Sequence, residues 1–275
     1  MPFTLFLTIR GIFLGVLLLL APLAQGQTPM KILLTSPGPG SFSYLPVELI
    51  KKIGADLAEG VDLEVRYYGG GPLAAKEMLE GNSDFAALGL SALATFHANG
   101  KDVLSIASIS RAPTYVLSVR SELRNSVKKI ADLRGRVIGV HSGSRNNKST
   151  SQQLVEFMLS RAGVAADQVN FLSAGQSHAE QRAALASGAI DALMGEEPFT
   201  SKLQEEGLVF VLADLHTPTA TRQALGGPFL YVQLATRGSL LAQQPEKVKR
   251  MNAVMRRTLH WIASHSPDEI ARMLA

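Results

Sequence analysis

The chain has 275 residues, of which 46% are hydrophobic, 27 basic and 23 acidic, and it contains no cysteine. This length suits two modest domains or one large one, and the apolar content is ample for a core. The lack of cysteine excludes a disulfide framework, a thiolate metal site and a cysteine nucleophile. A net charge of +4 is too mild to indicate nucleic-acid binding, so no nucleic-acid partner is expected.

The N-terminus predicts an export signal. Arg10 precedes an apolar run, 11–24, that is short for a membrane span. Ala24-Gln25-Gly26 then places small residues at the two positions that a signal peptidase reads. We expect a signal peptide over residues 1–26, cleaved after Gly26, with a retained anchor helix as the alternative. Because a lipid anchor needs a cysteine at the cleavage point, we expect none, and a periplasmic location follows.

Strands and helices alternate along the rest of the chain. A buried strand at 31–35 is followed by a helix at 44–58, whose leucine and isoleucine residues recur at helical spacing. The later elements are predicted, in order, as strand 63–68, helix 72–80, strand 84–88, helix 92–98, strand 103–109, strand 114–120, strand 136–140, helix 150–162, strand 168–172, helix 179–187, strand 190–194, helix 199–206, strand 208–212, strand 229–236 and a helical end. This alternation is typical of βαβ units with largely parallel strands.

Two parts of the chain repeat each other. The segment 81–89 and the segment 188–195 both begin with Gly-x-x-Asp and continue into an apolar strand. The strand, Ser/Gly loop and helix that end at Gly54 likewise correspond to those that end at Gly163. We therefore expect an α/β fold with two similar βαβ lobes and a cleft between them that holds a small molecule.

Two predicted strands, 114–120 and 229–236, fit neither repeat. We expect them to be hinge strands that cross between the lobes. Lobe 1 is then predicted to comprise 27–114 plus 232–275, and lobe 2, including the hinge strands, 115–231.

The C-terminal part carries a basic cluster and an abrupt end. The basic residues are Lys247, Lys249, Arg250, Arg256 and Arg257. They alternate with an apolar stripe formed by Val248, Met251, Met255, Leu259 and Ile262. This pattern predicts the solvated face of an amphipathic helix rather than a docking site. A helix start at 266–269 comes close to Ala275, and the sequence leaves open whether the chain is shortened after that residue.

Small polar residues follow the predicted strands in both lobes. Ligands collect at the carboxyl ends of parallel strands, where helix N-termini offer unpaired N–H groups. Serine and glycine also suit helix starts, so each residue alone is explained as a cap, but six loops converge on one place. The candidate ligand-binding residues are Ser41, Phe42, Gly89, Ser91, Arg111, Thr114, Ser142, Ser144, Asn147, Gln176 and Glu197. His141 and Glu196 occur in the same loops.

Several catalytic and cofactor motifs fail when tested. The loop 38–43 resembles a dinucleotide fingerprint, but Pro39 removes a donor and no acidic residue ends the second strand. The turn 89–93 resembles a nucleophile elbow with Leu93 in place of the last glycine, so a serine hydrolase that uses Ser91 stays an alternative of another class. The histidines are scattered, and we expect no metal and no cofactor.

Motifs along nearly the whole mature chain together resemble a known family. They are Gly69-Gly70-Gly71 with Gly81-x-x-Asp84, the run 130–140, Ser142-Gly143-Ser144, Gly188-x-x-Asp191-Ala192 with Pro198, and Pro245-Glu246-Lys247-Val248. In this order they resemble the nitrate/sulfonate/taurine and thiamine-precursor branch of the bacterial periplasmic solute-binding proteins.

This resemblance implies a type II periplasmic binding protein fold and a function. A small solute would be bound between the lobes, the lobes would close about the hinge, and the receptor, a monomer, would deliver its cargo to the membrane permease of an ABC importer. The implied ligand contacts are Ser41, Phe42, Gly89, Ser91, Ser142, Ser144 and Glu197. The expected solute is an anionic or polar organic molecule; the basic stretch 144–148 and Arg111 favour an anion, and the alternative is that these arginines simply face solvent.

Two alternatives to an ABC receptor follow from related proteins. Receptors of tripartite ATP-independent transporters have a first loop that is similarly rich in glycine and serine. Some relatives of the thiamine-precursor group are pyrimidine-forming enzymes, which depend on a cysteine-rich motif that this chain lacks. The protein is therefore not expected to be an enzyme.

Overall fold

The computed structural model describes residues 28–110, 112–141, 143–144 and 147–274. The predicted signal peptide, 1–26, and the candidate residues Arg111 and Ser142 lie outside the described residues. Within the described part of the chain, no helix has the length and apolar character needed to cross a membrane.

Lobe 1 is built on the first of two five-stranded sheets. Its elements before the first crossing are β1 (Met30–Pro37), a 3-10 turn (Phe42–Tyr44), α1 (Leu45–Lys52), α2 (Ala55–Ala58), β2 (Val61–Tyr68), α3 (Gly71–Leu79), β3 (Phe85–Gly89), α4 (Leu90–Ala98) and β4 (Leu104–Ser108). The helix predicted over 44–58 is divided because Gly54 adopts a left-handed conformation, with φ of 67°, that ends α1.

Lobe 2 is built on the second sheet. Its elements are β5 (Tyr115–Arg120), 3-10 turns at Ser121–Leu123 and Ile130–Leu133, β6 (Val137–Val140), β7 (Gly143–Ser144), β8 (Asn147–Lys148), α5 (Thr150–Arg161), a 3-10 turn at Ala166–Gln168, β9 (Asn170–Ser173), α6 (His178–Ala186), β10 (Ala192–Glu196), α7 (Phe199–Glu205), β11 (Val209–Asp214) and α8 (Pro218–Leu225). The β7–β8 hairpin and α8 have no counterpart in the predicted elements.

The chain then returns to lobe 1 and ends in helices. These last elements are β12 (Val232–Thr236), α9 (Gly238–Gln243), α10 (Pro245–Ser264) and α11 (Pro267–Leu274). Helix α10 packs on α1, α2 and the edge of the first sheet, and its stripe of Val248, Met251 and Met255 is buried there.

The two sheets share one topology, as the repeat predicts. The first has the strand order β2-β1-β3-β12-β4 and the second the order β9-β6-β10-β5-β11. In each sheet the first three strands are parallel, while the fourth is antiparallel to both neighbours. The expectation of largely parallel pairing therefore holds for two of the four strand pairs in each sheet. The fourth strand arrives from the other lobe and so runs in the opposite direction.

The repeated Gly-x-x-Asp has a structural role. The carboxylate of Asp84 accepts a hydrogen bond from the N–H of Leu33 at 2.9 Å, and that of Asp191 accepts one from the N–H of Val137 at 3.0 Å. In both lobes the motif thus fixes the start of the third strand beside the first. The residues that reveal the two-lobed fold are residues that stabilise it.

The hinge prediction is refined by the sheets. Strand β5 lies wholly in the second sheet and β12 wholly in the first, so the chain crosses in the short segments that precede them, 109–114 and 226–231. These crossing segments run side by side, and the N–H of Tyr231 donates to the carbonyl of Ser110 at 3.2 Å. The predicted lobe boundaries within the crossing segments stay a prediction.

The basic cluster on α10 is only partly solvated, which corrects the prediction. Lys247 is 16% exposed and forms an ion pair with Asp84 at 2.8 Å. Arg257 forms an ion pair with Glu59 at 2.7 Å, whereas Lys249 is 81% exposed. The cluster contacts lobe 1 because α10 crosses the amino ends of its strands, where acidic side chains face it.

Candidate functional site

A narrow crevice separates the lobes at the ends of their central strands. Its walls come from lobe 1 and lobe 2: Pro37, Gly38, Ser41, Tyr44, His141, Gln176, Glu196 and Phe199. The gaps between these walls are too narrow to admit a water molecule. The strand order of a doubly wound sheet places ligands at such a position.

Glu196, the last residue of β10, is the centre of the crevice. It is only 2% exposed, yet both carboxylate oxygens accept hydrogen bonds. Oε2 accepts from the Ser41 hydroxyl of lobe 1 at 2.5 Å, and Oε1 accepts from the hydroxyl of Tyr231 in the second crossing segment. One carboxylate thus connects both lobes and the hinge.

Three buried tyrosines surround this carboxylate. The hydroxyls of Tyr115 and Tyr231 lie 2.6 Å apart, their rings are 5.0 Å apart, and the edge of Tyr44 packs on Tyr231. Burial raises the pKa of all three phenols, and the negative charge of Glu196 raises it further. The hydroxyls therefore stay protonated at neutral pH and serve as hydrogen-bond donors.

His141, at the end of β6, is neutral at neutral pH. It is 3% exposed, and burial lowers its pKa, an effect that Glu196 opposes only in part. The side-chain amide of Gln176 donates to Nδ1 at 3.2 Å, which leaves the ring proton on Nε2. Nε2 of His141 and Oε1 of Gln176 are both buried without a hydrogen-bond partner among the described residues.

The backbone donors of the first loop are already engaged. The N–H of Gly40 donates to the Glu48 carboxylate at 2.7 Å, and that of Phe42 donates to the Glu197 carbonyl at 2.9 Å. At the next loop, the N–H of Leu90 donates to the carbonyl of Tyr231 at 2.7 Å. These three N–H groups are thus paired with acceptors of the protein, and the bond from Phe42 to Glu197 runs between the lobes.

Most of the described candidate residues lie where the lobes meet. Ser41 and Gln176 line the crevice itself. Thr114 is 2.6 Å from Ser43, hydroxyl to hydroxyl, and the hydroxyl of Ser91 donates to Thr150 of lobe 2 at 3.1 Å.

The surroundings of three further candidates could not be predicted from the residues next to them in the sequence. Gly89 faces Thr150 so closely that an added Cβ would lie 2.1 Å from the threonine hydroxyl. Phe42 keeps 54% of its surface exposed. The Glu197 carboxylate turns away from the crevice and accepts from the N–H of Ser201 in α7, 3.2 Å away.

The last candidates belong to the β7–β8 hairpin. Ser144 and Asn147 pair there by their backbones, and their side chains lie outside the described part of the structure, as do Arg111 and Ser142. The part of the chain that the structure describes contains no group of three histidine or acidic side chains placed to hold a metal ion.

The sequence reasoning noted His141 and Glu196 in the loops that follow strands but did not select them as ligand contacts, and it missed three further residues. Tyr44, Tyr115 and Tyr231 carry no comparable signal, because an aromatic residue in an apolar stretch predicts only core packing.

Comparison with known proteins supports the fold and the family. The sequence model of the family described as NMT1/THI5 like matches residues 57–270. A solved protein from Bordetella bronchiseptica is 26% identical, with a TM-score of 0.82, over 90% of this chain and 76% of that one. A search of curated proteins found no match.

Two more distant solved structures have the same fold. The periplasmic nitrate-binding protein NrtA from Synechocystis is 13% identical, with a TM-score of 0.71, over 90% of this chain and 66% of its own. The periplasmic sulfonate-binding protein SsuA of a putative sulfonate ABC transporter from Methylobacillus flagellatus is 19% identical, with a TM-score of 0.59, over 88% and 72%. The predicted fold is confirmed, and the chain belongs to the NMT1/THI5-like family, with the two-lobed α/β architecture of periplasmic binding proteins.

Proposed function

We propose that the protein is an exported receptor that binds a small solute between its lobes and delivers it to the permease of an ABC importer. The observation that carries this proposal is the crevice, whose walls come from both lobes and meet at the buried carboxylate of Glu196. Because the residues of the site are divided between the two lobes, relative motion of the lobes would assemble the site on closure and separate its two halves on opening.

The dimensions of the crevice support a binding cycle with an open form. Since its gaps are too narrow for water, a solute enters only when the lobes separate about the crossing segments 109–114 and 226–231. Closure would bring Ser41 and Glu196 together again and desolvate the solute. The closed surface would then be the form that the permease recognises.

An ABC permease is the favoured partner for two reasons. The family match covers most of the chain, and a structural neighbour is named as part of a putative sulfonate ABC transporter. A receptor of a tripartite ATP-independent transporter would use the same kind of cleft. The two alternatives are distinguished by measuring solute uptake when this receptor is combined with a permease of each class.

An enzymatic role for Ser91 lacks a base. Its hydroxyl donates to Thr150, and no described histidine is hydrogen-bonded to it. Activation of a serine nucleophile requires such an adjacent base. We therefore propose that the protein is not an enzyme, and an esterase assay with Ser91→Ala as control would reveal the alternative.

Export as a monomer completes the proposal. Cleavage after Gly26 gives a released periplasmic protein that begins at Gln27, and N-terminal sequencing of the periplasmic fraction tests this directly. Recovery in the membrane fraction with residues 1–26 intact would indicate an anchor instead. Light scattering with and without solute tests the monomer.

The binding function itself is tested by a thermal-shift screen of the purified protein. The panel comprises nitrate, sulfonates, aromatic carboxylates, amines, amidines and pyrimidines. A solute at about one hundred times its Kd stabilises the folded state by about 2.7 kcal/mol. A saturable shift with one chemical class, without turnover, supports a receptor. No shift with any class counts against it.

A further inference from the structure

The acidic and basic side chains that the structure describes at the crevice do not favour an anion. Of the described residues that line it, Glu196 is the one acidic side chain, and none is a lysine or an arginine. His141 also lines the crevice, and because burial lowers its pKa it is neutral at neutral pH. An anion would therefore meet a buried carboxylate at a distance where like charges repel strongly.

Three of the backbone donors that could offset this repulsion are already engaged. The N–H groups of Gly40, Phe42 and Leu90 are bonded to acceptors of the protein, and two of these three acceptors belong to Glu48 and Glu197. A sulfonate or nitrate ion would have to displace them.

Glu196, by contrast, retains capacity as an acceptor. An ionised carboxylate offers about four lone-pair positions, and the hydroxyls of Ser41 and Tyr231 fill two. Both existing donors are neutral, so the negative charge is solvated by hydroxyl groups rather than neutralised by a described cation. A buried carboxylate in such surroundings gains most from a cationic partner.

A second, independent group points into the same space. His141 lines the crevice and is 3% exposed. Its Nε2 atom is buried and has no hydrogen-bond partner among the described residues. Buried donors in folded proteins are almost always bonded. An acceptor atom of a solute in the crevice would supply the missing partner.

We infer that Glu196 makes the crevice selective for a solute with a cationic N–H group, such as an amidinium, guanidinium or ammonium, and that His141 binds an acceptor atom of the same solute. This inference rests on the proposed receptor function and specifies its cargo. It differs from the expectation of an anionic solute, which stays a prediction, and from the sulfonate and nitrate named for two structural neighbours.

The preference for a cation is tested with pairs of small ions that have matched shapes and opposite charges. Guanidinium and nitrate are both planar and trigonal, and the pairs acetamidinium and acetate, and benzamidinium and benzoate, differ in charge but hardly in size. Binding is measured by thermal shift and calorimetry at low millimolar probe and constant ionic strength. We expect the cation of each pair to bind at least ~10-fold more tightly, because the interaction of two unit charges in a protein cleft exceeds thermal energy several-fold.

Glu196→Gln is the decisive variant because it keeps the shape and removes the charge. It should abolish the preference for the cation of each pair. Glu205→Gln removes a charge from an exposed position at the end of α7 and should leave the preference unchanged. If Glu196→Gln fails to fold, the comparison of each cation with its anion in the unaltered protein still decides the question.

The outcomes separate the inference from the receptor function. The inference is overturned if nitrate, acetate or benzoate binds more tightly than its cation. It is also overturned if the two ions of each pair bind equally, or if none of the six ions binds. The proposed receptor function is contradicted only if no compound of the thermal-shift panel described above shifts the melting temperature either. A cation preference that survives Glu196→Gln also overturns the inference, since another group would then determine it.

Discussion

Gly89→Ala is expected to hold the two lobes apart. The Cβ of an alanine at this position would lie 2.1 Å from the Thr150 hydroxyl oxygen, 3.1 Å from Thr150 Cβ and 3.0 Å from a ring carbon of Tyr231. Backbone conformation is not the obstacle, because Gly89 has φ of −67°, which alanine adopts freely. The cost is therefore a steric clash between lobes, and overpacking of this kind costs about 1–3 kcal/mol.

The expected result is an opened cleft with an intact lobe 1. Urea unfolding should show a loss of about 1–3 kcal/mol, and small-angle X-ray scattering should show a larger radius of gyration. Thr150→Ala should partly rescue the variant, since it removes the atom in closest contact. Gly38→Ala is the matched control, because no atom lies within 4 Å of its added Cβ. Unchanged stability and dimensions in Gly89→Ala would refute the close contact between the lobes.

Three further predictions concern the polar groups described above. Tyr231→Phe should cost about 1.5–3 kcal/mol in urea unfolding, because it removes a donor to a buried carboxylate; a cost equal to that of an exposed Tyr67→Phe would contradict this. Lys247→Met should cost about 1–3 kcal/mol by leaving Asp84 unpaired, whereas Lys249→Met, 81% exposed, should cost almost nothing. Burial lowers the pKa of His141 below 6.5, so the unfolded chain binds more protons just below that pH. Stability present above pH 6.5 should therefore fall as the pH drops through the folded pKa, and urea midpoints for His141→Gln should show a flatter dependence.

The topology could be predicted because it depends on local, repeated signals. The Gly-x-x-Asp motifs carry the same backbone hydrogen bond in both lobes, so their recurrence reports a shared structure directly. The antiparallel direction of β5 and β12 could not be predicted in this way, because it depends on how the chain returns from the other lobe.

The site was harder to predict because it depends on strand register and on distant contacts. β10 extends two residues beyond its predicted end, so Glu196 stays in the strand and faces the crevice, while Glu197 precedes α7 and turns away. A one-residue change of register reverses the face of a side chain. The pairing of Tyr115 with Tyr231 joins residues 116 positions apart, which no local pattern encodes.

The exchange of strands between the lobes has a consequence for folding. All five strands of the second sheet come from one stretch, 115–214, whereas the first sheet remains without its fourth strand until β12 arrives. Gln233 of β12 contacts Ser108 across 125 residues of intervening chain, and such long-range closure is slow. We expect lobe 2 to gain hydrogen-exchange protection before lobe 1 does. The half of the molecule that is made first would then be the half that folds last.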